Sequence, residues 1–113
     1  MSKVPKILSQ YILPGKVTVF SITNCPYCSS ASNLLKDLKV DFNYYQVNTD
    51  EKFNNTDFKT SLTDYCGIRT YPKILIGETC IGGYTDLSKL YKTQKLFKML
   101  KKEGIKFEDD DLF

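Results

Sequence analysis

No histidine occurs among the 113 residues. Structural zinc sites draw on paired cysteines or on histidines at ligand spacing, so a zinc reading has little to rest on. A second Cys-x-x-Cys pair is also missing, since Cys66 and Cys80 each stand alone in the sequence. No glycine-rich nucleotide-binding fingerprint is present. No apolar run approaches the roughly 20 residues that span a bilayer, so no membrane partner is expected. The segment Met1 to Gln10 lacks the sustained apolar core and small-residue cleavage pattern of a signal peptide, which makes the cytoplasm the expected compartment. No internal repeat or linker interrupts the chain.

Positive charge is not concentrated either. The net charge is +3. The densest basic stretch, Lys89 to Lys102, alternates lysine with Leu, Phe and Met, the pattern of an amphipathic helix with a solvated face. Nucleic acid is therefore not an expected partner. Hydrophobic residues make up 42% and charged residues 26%, the balance of a soluble globular domain with a modest core. Such a core needs no covalent staples, and a reducing compartment opposes them, so two structural disulfides are not expected from the four cysteines. One domain is expected over residues 1–113, with a core over about 16–104. A short acidic tail follows over 105–113, and its run Glu108-Asp109-Asp110-Asp111 is expected to fray.

Periodicity gives the element order. Val4, Ile7, Leu8, Tyr11 and Ile12 have helical spacing over Lys3 to Leu13, stopped by Pro14-Gly15. A strand is expected over Lys16 to Ile22 and a helix from Pro26 to about Lys39. Val40 to Val47 reads as a second strand. The stretch Thr49 to Thr56 is polar and turn-like. Phe58, Leu62 and Tyr65 then share a helix face that ends at Gly67, a residue suited to a left-handed cap. Lys73 to Ile76 and Thr79 to Ile81 are short strands around a Gly77-Glu78 hairpin turn. A last helix is expected from about Asp86 to Lys102. The order α, β, α, β, α, β, β, α predicts an α/β fold: a four-stranded mixed sheet with helices on both faces.

Cys25-Pro26-Tyr27-Cys28 lies between the first strand and the helix that follows it. The first sulfur then sits in an exposed loop before the helix. There the unpaired first-turn N–H groups and the helix dipole favour a thiolate. The second sulfur lies one turn along, within reach of a disulfide. Pro26 suits the first turn because its missing N–H had no intrahelical partner. This is the layout of a thiol–disulfide exchange site, with Cys25 the candidate nucleophile and Cys28 the shielded resolving thiol.

Together, Cys25-Pro26-Tyr27-Cys28, Thr70-Tyr71-Pro72 and Gly82-Gly83-Tyr84-Thr85-Asp86 resemble the three signature segments of the dithiol glutaredoxins. The resemblance spans about residues 16–104, with the segments in the same order and at similar spacing. It implies the thioredoxin-like fold. It implies a cis proline at Pro72 facing Cys25, with the Tyr71 backbone holding the cysteinyl part of glutathione. Thr70 belongs to the same binding segment. Thr85 and Asp86 correspond to the residues that hold the γ-glutamyl end, and Gly83 permits close backbone approach beside the site. By their local sequence alone, Thr85 and Asp86 are helix N-cap residues, and Gly82-Gly83 a strand terminator. Tyr27 either lines the entrance to the site or covers the helix end.

Two positions depart from the family pattern. The lysine that commonly stands three residues before the first active cysteine is replaced by Ile22. A second carboxylate contact, usually in the helix before the proline segment, corresponds to Lys59. Lys59 either holds a glutathione carboxylate or is simply a solvated helix residue. Cys66 and Cys80 read as buried, unreactive cysteines, the alternative being oxidative regulation through Cys80.

The expected function is glutathione-dependent thiol–disulfide exchange. Glutathionylated proteins would be reduced through Cys25 alone, and disulfide-containing proteins through Cys25 and Cys28. Glutathione is the implied co-substrate, with no tightly bound cofactor or metal, and the protein is expected to act as a monomer. The rival readings are a thioredoxin-type reductant fed by a reductase and a carrier bridging an iron–sulfur cluster through Cys25 and glutathione. Pro26 opposes the carrier reading, because it stiffens the loop that must reach the metal.

Overall fold

The computed structural model describes residues 3–108. Its central strand, β1 (Val17–Ser21), is buried along its whole length. Burial on both faces suits a mostly apolar, β-branched run flanked by turns. The two hydroxyls in this strand are satisfied locally. Thr18 Oγ1 donates to the Tyr11 carbonyl at 3.1 Å, and Ser21 Oγ to the Tyr45 carbonyl at 3.3 Å.

Helix α1 (Pro26–Asp37) carries the chain from β1 to β2 (Phe42–Gln46), which lies parallel to β1 with Phe42 opposite Val17. After α2 (Thr56–Cys66), strand β3 (Lys73–Ile76) pairs antiparallel with the other side of β1. Strand β4 (Thr79–Gly82) returns from β3 through the Gly77-Glu78 turn, and the sheet order is β2-β1-β3-β4. Helices α3 (Tyr84–Lys92) and α4 (Lys95–Lys102) end the fold.

The sheet separates two apolar clusters. On one face Val17, Val19 and Ile74 meet Ala31 and Leu35 of α1, Leu87 of α3 and Leu100 of α4. On the other, Phe20 and Leu75 meet Leu8 and Ile12 of the N-terminal segment and Phe58 and Leu62 of α2. The mixed four-stranded sheet covered on both faces is the architecture read from the sequence.

Local signals account for several element ends. Asn55 caps α2, its Oδ1 accepting from the Phe58 N–H at 2.8 Å. Gly67 closes α2 in the left-handed region at φ 71°, its N–H donating to the Thr63 carbonyl at 2.7 Å.

Elsewhere the structure departs from the expectations. The segment expected to be helical over Lys3 to Leu13 holds only a 3₁₀ turn, Lys6–Leu8, followed by further turns. Ser9 Oγ donates to the Lys6 carbonyl at 2.8 Å, an acceptor that a continuing helix would need for Gln10. The last helix is two helices rather than one. Thr93 Oγ1 donates to the Lys89 carbonyl at 2.9 Å, and Gln94 adopts φ 63°, which turns the chain so that Leu96, Phe97 and Leu100 are buried. Residues 105–108 pack back onto the domain, so Glu108, the first residue of the run expected to fray, is held. Ile105 and Phe107 lie on the first cluster, and the Glu108 N–H donates to the Leu38 carbonyl at 2.6 Å. Asp109, Asp110 and Asp111 lie outside the described residues.

The polar stretch between β2 and α2 conceals a core residue. Phe53 is 1% exposed, with ring centroids of Tyr11, Tyr45 and Phe58 at 4.9, 5.1 and 5.0 Å. Phe53→Ala should lower the unfolding free energy by about 3–5 kcal/mol, as full truncation of a buried aromatic does. Chemical denaturation measures this. A loss below about 1 kcal/mol would show that the ring cluster does not anchor this loop.

Candidate active site

Strand directions bring three distant segments to one edge of the sheet. Because β3 runs against β1, its first residue, Lys73, pairs with Phe20 near the end of β1. Strand β4 reverses again, so Gly82 at its end pairs with Ile74. The loop after β1, the segment before β3 and the segment after β4 therefore meet. They carry Cys25, Thr70-Tyr71-Pro72 and Gly83 to Asp86.

Cys25 is the N-cap of α1, in extended conformation at φ −117° and ψ 97°, with Pro26 at the first helical position. Its Sγ accepts from the Cys28 N–H at 3.2 Å. That contact lets a helix N–H favour charge on sulfur, and it joins the dipole of a 12-residue helix. Cys25 is partly exposed, whereas Cys28 is 1% exposed. The two are joined as a disulfide with Cα atoms 5.2 Å apart, so the site stands in its oxidised state. The Cys25 sulfur here occupies the place of the thiolate in the reduced form. Of the two, Cys25 is the residue open to an incoming molecule.

A cleft of about 320 Å³ lies beside this pair. Thr70, Tyr71 and Pro72 form one side, and Gly83, Thr85 and Asp86 the other. Tyr27, 63% exposed, borders its mouth. The Tyr71–Pro72 bond is cis, and the Tyr71 carbonyl oxygen lies 3.7 Å from Cys25 Sγ. Two further lining residues had no role assigned from the sequence. Ile68 adds apolar wall, and Tyr84 stacks on Tyr27 with ring centroids 6.1 Å apart and planes 19° apart. Tyr84 was visible inside the glycine-rich segment, but nothing local tells that its ring reaches across to α1.

Two backbone details shape the far wall. Helix α3 begins at Tyr84 with Gly83 as its N-cap, one to two residues earlier than the expected start at Thr85-Asp86. Asp86 is instead the third helical residue, and its Oδ2 accepts from the Gly83 N–H at 2.9 Å. A residue before the helix without a capping side chain is thus capped in reverse, by the carboxylate. Gly82 sits at φ 113°, and a Cβ there would run into the Asp86 carboxylate. Only glycine holds that backbone without strain.

The remaining expected residues fall elsewhere. Lys59 is not among the residues lining the cleft; its Nζ donates to Asn54 Oδ1 at 2.5 Å. Ile22 packs against the core cluster with α2. Cys66 and Cys80 correct the expectation of isolated, unreactive thiols. They form a second disulfide, Cα–Cα 5.3 Å, from the end of α2 to β4. The pairing is tertiary: α2 packs beside β4, and Tyr65 Oη donates to the Glu78 carbonyl on the same seam. Neither cysteine is fully buried.

Under the cleft lies a charge that the sequence did not announce. Lys73 is 0% exposed. Its Nζ donates to the Thr70 carbonyl at 3.0 Å and stands 3.7 Å from the centroid of the Tyr71 ring. The ammonium thus ties down the segment that lines the cleft, through one hydrogen bond and one cation–π contact. Burial lowers its pKa from 10.5 to about 8 and raises that of Tyr71 above 10.0.

Fold and dithiol together define a thiol–disulfide oxidoreductase of thioredoxin-like architecture. The comparisons with known proteins narrow this further. The family model described as Glutaredoxin matches residues 17–81. Glutaredoxin-1 of Bos taurus is 36% identical over 94 residues, covering 82% of this chain and 89% of that protein. A glutaredoxin of Vernicia fordii is 32% identical over 95 residues, 84% of this chain and 89% of that one. Among solved structures, the buckwheat glutaredoxin–glutathione complex superposes with a TM-score of 0.76 at 27% identity, covering 84% of each chain. The dithiolic glutaredoxin 2-C-Grx1 of Trypanosoma brucei brucei gives 0.73 at 32% identity, covering 88% of this chain and 99% of that one. The chain belongs to the glutaredoxin family. It is a glutathione-dependent thiol–disulfide oxidoreductase.

Lys73 makes stability depend on pH with a definite sign. Its folded pKa, about 8, lies below the ordinary 10.5, so between those values the unfolded chain binds more protons. Stability therefore rises with pH through this window, and below it the burial penalty is present in full. Above about pH 10 the raised tyrosines Tyr45, Tyr65 and Tyr71 act in the opposite sense. Denaturant unfolding of the oxidised protein from about pH 7 to about pH 9.5 should show the rise, and Lys73→Met should flatten it. Equal slopes for the two proteins would mean that Lys73 does not titrate in this range.

Proposed function

We propose that Cys25 is the nucleophile and that glutathione lies in the adjoining cleft, with glutathionylated and disulfide-containing proteins as substrates of a monomeric enzyme. The observation that carries this is the Cys28 N–H directed at Cys25 Sγ beside a cleft of peptide dimensions. For a protein–glutathione mixed disulfide, the Cys25 thiolate attacks the cysteinyl sulfur of glutathione. The protein thiolate leaves, and Cys25 carries glutathione. A second glutathione thiolate attacks the Cys25–glutathione bond, releasing glutathione disulfide and restoring Cys25. For a protein disulfide, Cys25 first forms a mixed disulfide with the protein. Cys28 then attacks Cys25 Sγ, which frees the second protein thiol. Two glutathiones reduce the resulting Cys25–Cys28 bond. The rates follow the thiolate fraction of the attacking sulfur and the acidity of the leaving one.

The roles of the cleft residues follow from the chemistry of the tripeptide. Backbone groups of Tyr71, flanked by Thr70 and Pro72, pair with the cysteinyl residue in β fashion. Gly83, Thr85 and Asp86 receive the γ-glutamyl end, whose ammonium needs an acceptor and whose carboxylate needs donors. Tyr27 forms the entrance. Lys59 supplies a cation for the glycine carboxylate in place of Ile22, once its Nζ turns from Asn54.

Cys25→Ser should abolish turnover of every disulfide substrate. Cys28→Ser should keep reduction of glutathionylated peptide, because glutathione itself resolves the intermediate, and should lose reduction of protein disulfides. If Cys28→Ser lost both activities as completely as Cys25→Ser, the single-thiol route would be wrong.

Lys59→Ala should raise KM for glutathionylated peptide by at most about fivefold, the scale of an exposed ion pair, with a smaller change in kcat. The effect should fade as salt is added. An unchanged KM at low ionic strength would leave Lys59 a solvated helix residue.

A further inference from the structure

The Cys66–Cys80 bond occupies a particular place relative to the cleft. Cys66 ends α2, and the chain leads from it through Gly67 to Ile68, Thr70 and Tyr71 on one wall. Cys80 lies in β4, and the chain leads from it through Gly82 to Gly83 on the other wall. The bond therefore ties together the roots of both walls. Strand β4 is an edge strand, hydrogen-bonded within the sheet to β3 alone. Cys66, Cys80 and Tyr71 all pack against the cluster that contains Phe58, Leu62 and Leu75. The α2–β4 seam and the segment that carries Tyr71 thus share one apolar cluster. Cys66 and Cys80 are both partly exposed residues, not sealed in the core.

We propose that Cys66 and Cys80 are a second redox dithiol, oxidised by glutathione disulfide, and that the bond between them holds the two walls of the glutathione cleft in register. Glutathione disulfide is the product of the reaction at Cys25, so the oxidant is already part of the chemistry of this chain. Cys80 is the better attacker, because Cys66 lies at the C-terminal, negative end of α2, where a thiolate is disfavoured. The Cys80 thiolate attacks one sulfur of glutathione disulfide and expels one glutathione thiolate. The Cys66 thiolate then attacks Cys80 Sγ and expels the second. Two electrons pass from the protein dithiol to glutathione disulfide, and the two protons lost from the cysteines are taken up by the departing glutathiones. Closure is intramolecular between cysteines already packed together and separated by 14 positions, so it outruns reversal of the mixed disulfide by free glutathione.

The effect on the cleft rests on the glutathione reading of that site, whereas the crosslink itself does not. The test separates the two. The Cys25→Ser/Cys28→Ser protein is equilibrated with mixtures of glutathione and glutathione disulfide, acid-quenched, alkylated and weighed intact. The crosslink should accumulate as the disulfide fraction rises, with both thiols lost together and no glutathione retained. Thiols alkylated at every ratio, a persistent glutathione adduct, or a bond that survives glutathione alone would each overturn the redox proposal.

The two end states are then compared for binding of S-methylglutathione, which cannot exchange. The oxidised form should bind about threefold to tenfold more tightly, the scale of ordering one wall of a site. It should also melt about 5–15 °C higher. Equal affinity in the two forms would overturn the coupling while leaving the glutathione site intact. Absence of binding in both forms would overturn the glutathione reading and the coupling with it. A reduced form without cooperative unfolding would make the bond a staple of the whole domain, and the proposal would fail.

Discussion

The contact between the Cys28 N–H and the Cys25 sulfur, 3.2 Å long, is the interaction on which the rest of the molecule converges. It exists because α1 starts where it does. Pro26 begins the helix without wasting a hydrogen bond, and Cys25, as N-cap, turns its side chain back over the first turn. The helix is held in that position by Ala31 and Leu35, which are buried against Val17 and Val19 of the central strand. A shift of this helix would move the Cys28 N–H that meets the Cys25 sulfur. The core therefore serves the chemistry by fixing a dipole, not by touching the sulfur.

The cleft shows the same economy. Its two walls come from chain segments more than ten residues apart, brought together by the reversal of β3 and β4 beside β1. Each wall has its own support. Lys73 anchors the Thr70–Tyr71 side from below, at the expense of holding an ammonium where burial lowers its pKa. Asp86 and Gly82 shape the other side, the carboxylate capping the Gly83 N–H where no Cβ can intrude. The Cys66–Cys80 bond joins the end of α2 to β4, the elements from which the chain leads into the two walls.

Much of this was legible in the sequence because the signals are local. The Cys25–Cys28 tetrad, the Gly67 cap and the Gly77-Glu78 hairpin turn depend on a few neighbouring residues, and all three stand in the structure. What escaped reading depends on contacts between elements. Phe53 lies in a polar stretch and is buried only because Tyr11, Tyr45 and Phe58 surround it. The ring of Tyr84 acquires its place from Tyr27 on another helix. Cys66 and Cys80 pair because α2 lies along β4, a fact that no spacing rule contains. Thr93 and Gln94 broke an expected helix because the Thr93 hydroxyl bonds back to the preceding turn and Gln94 takes a left-handed backbone, neither of which hydrophobic periodicity registers. Within the site, the resemblance to the family identified the segments that line the cleft. Lys59 stands outside the residues that line it, its Nζ donating to Asn54 Oδ1.

The central claim is that the N-terminus of α1 makes Cys25 the reactive thiolate. Its most direct test is the rate of alkylation of the reduced protein as a function of pH, with the modified cysteine identified by mass. The account predicts that Cys25 reacts first and that its rate titrates below the free-cysteine value of about 8.5. Titration at or above that value, or first modification at Cys28, would contradict it.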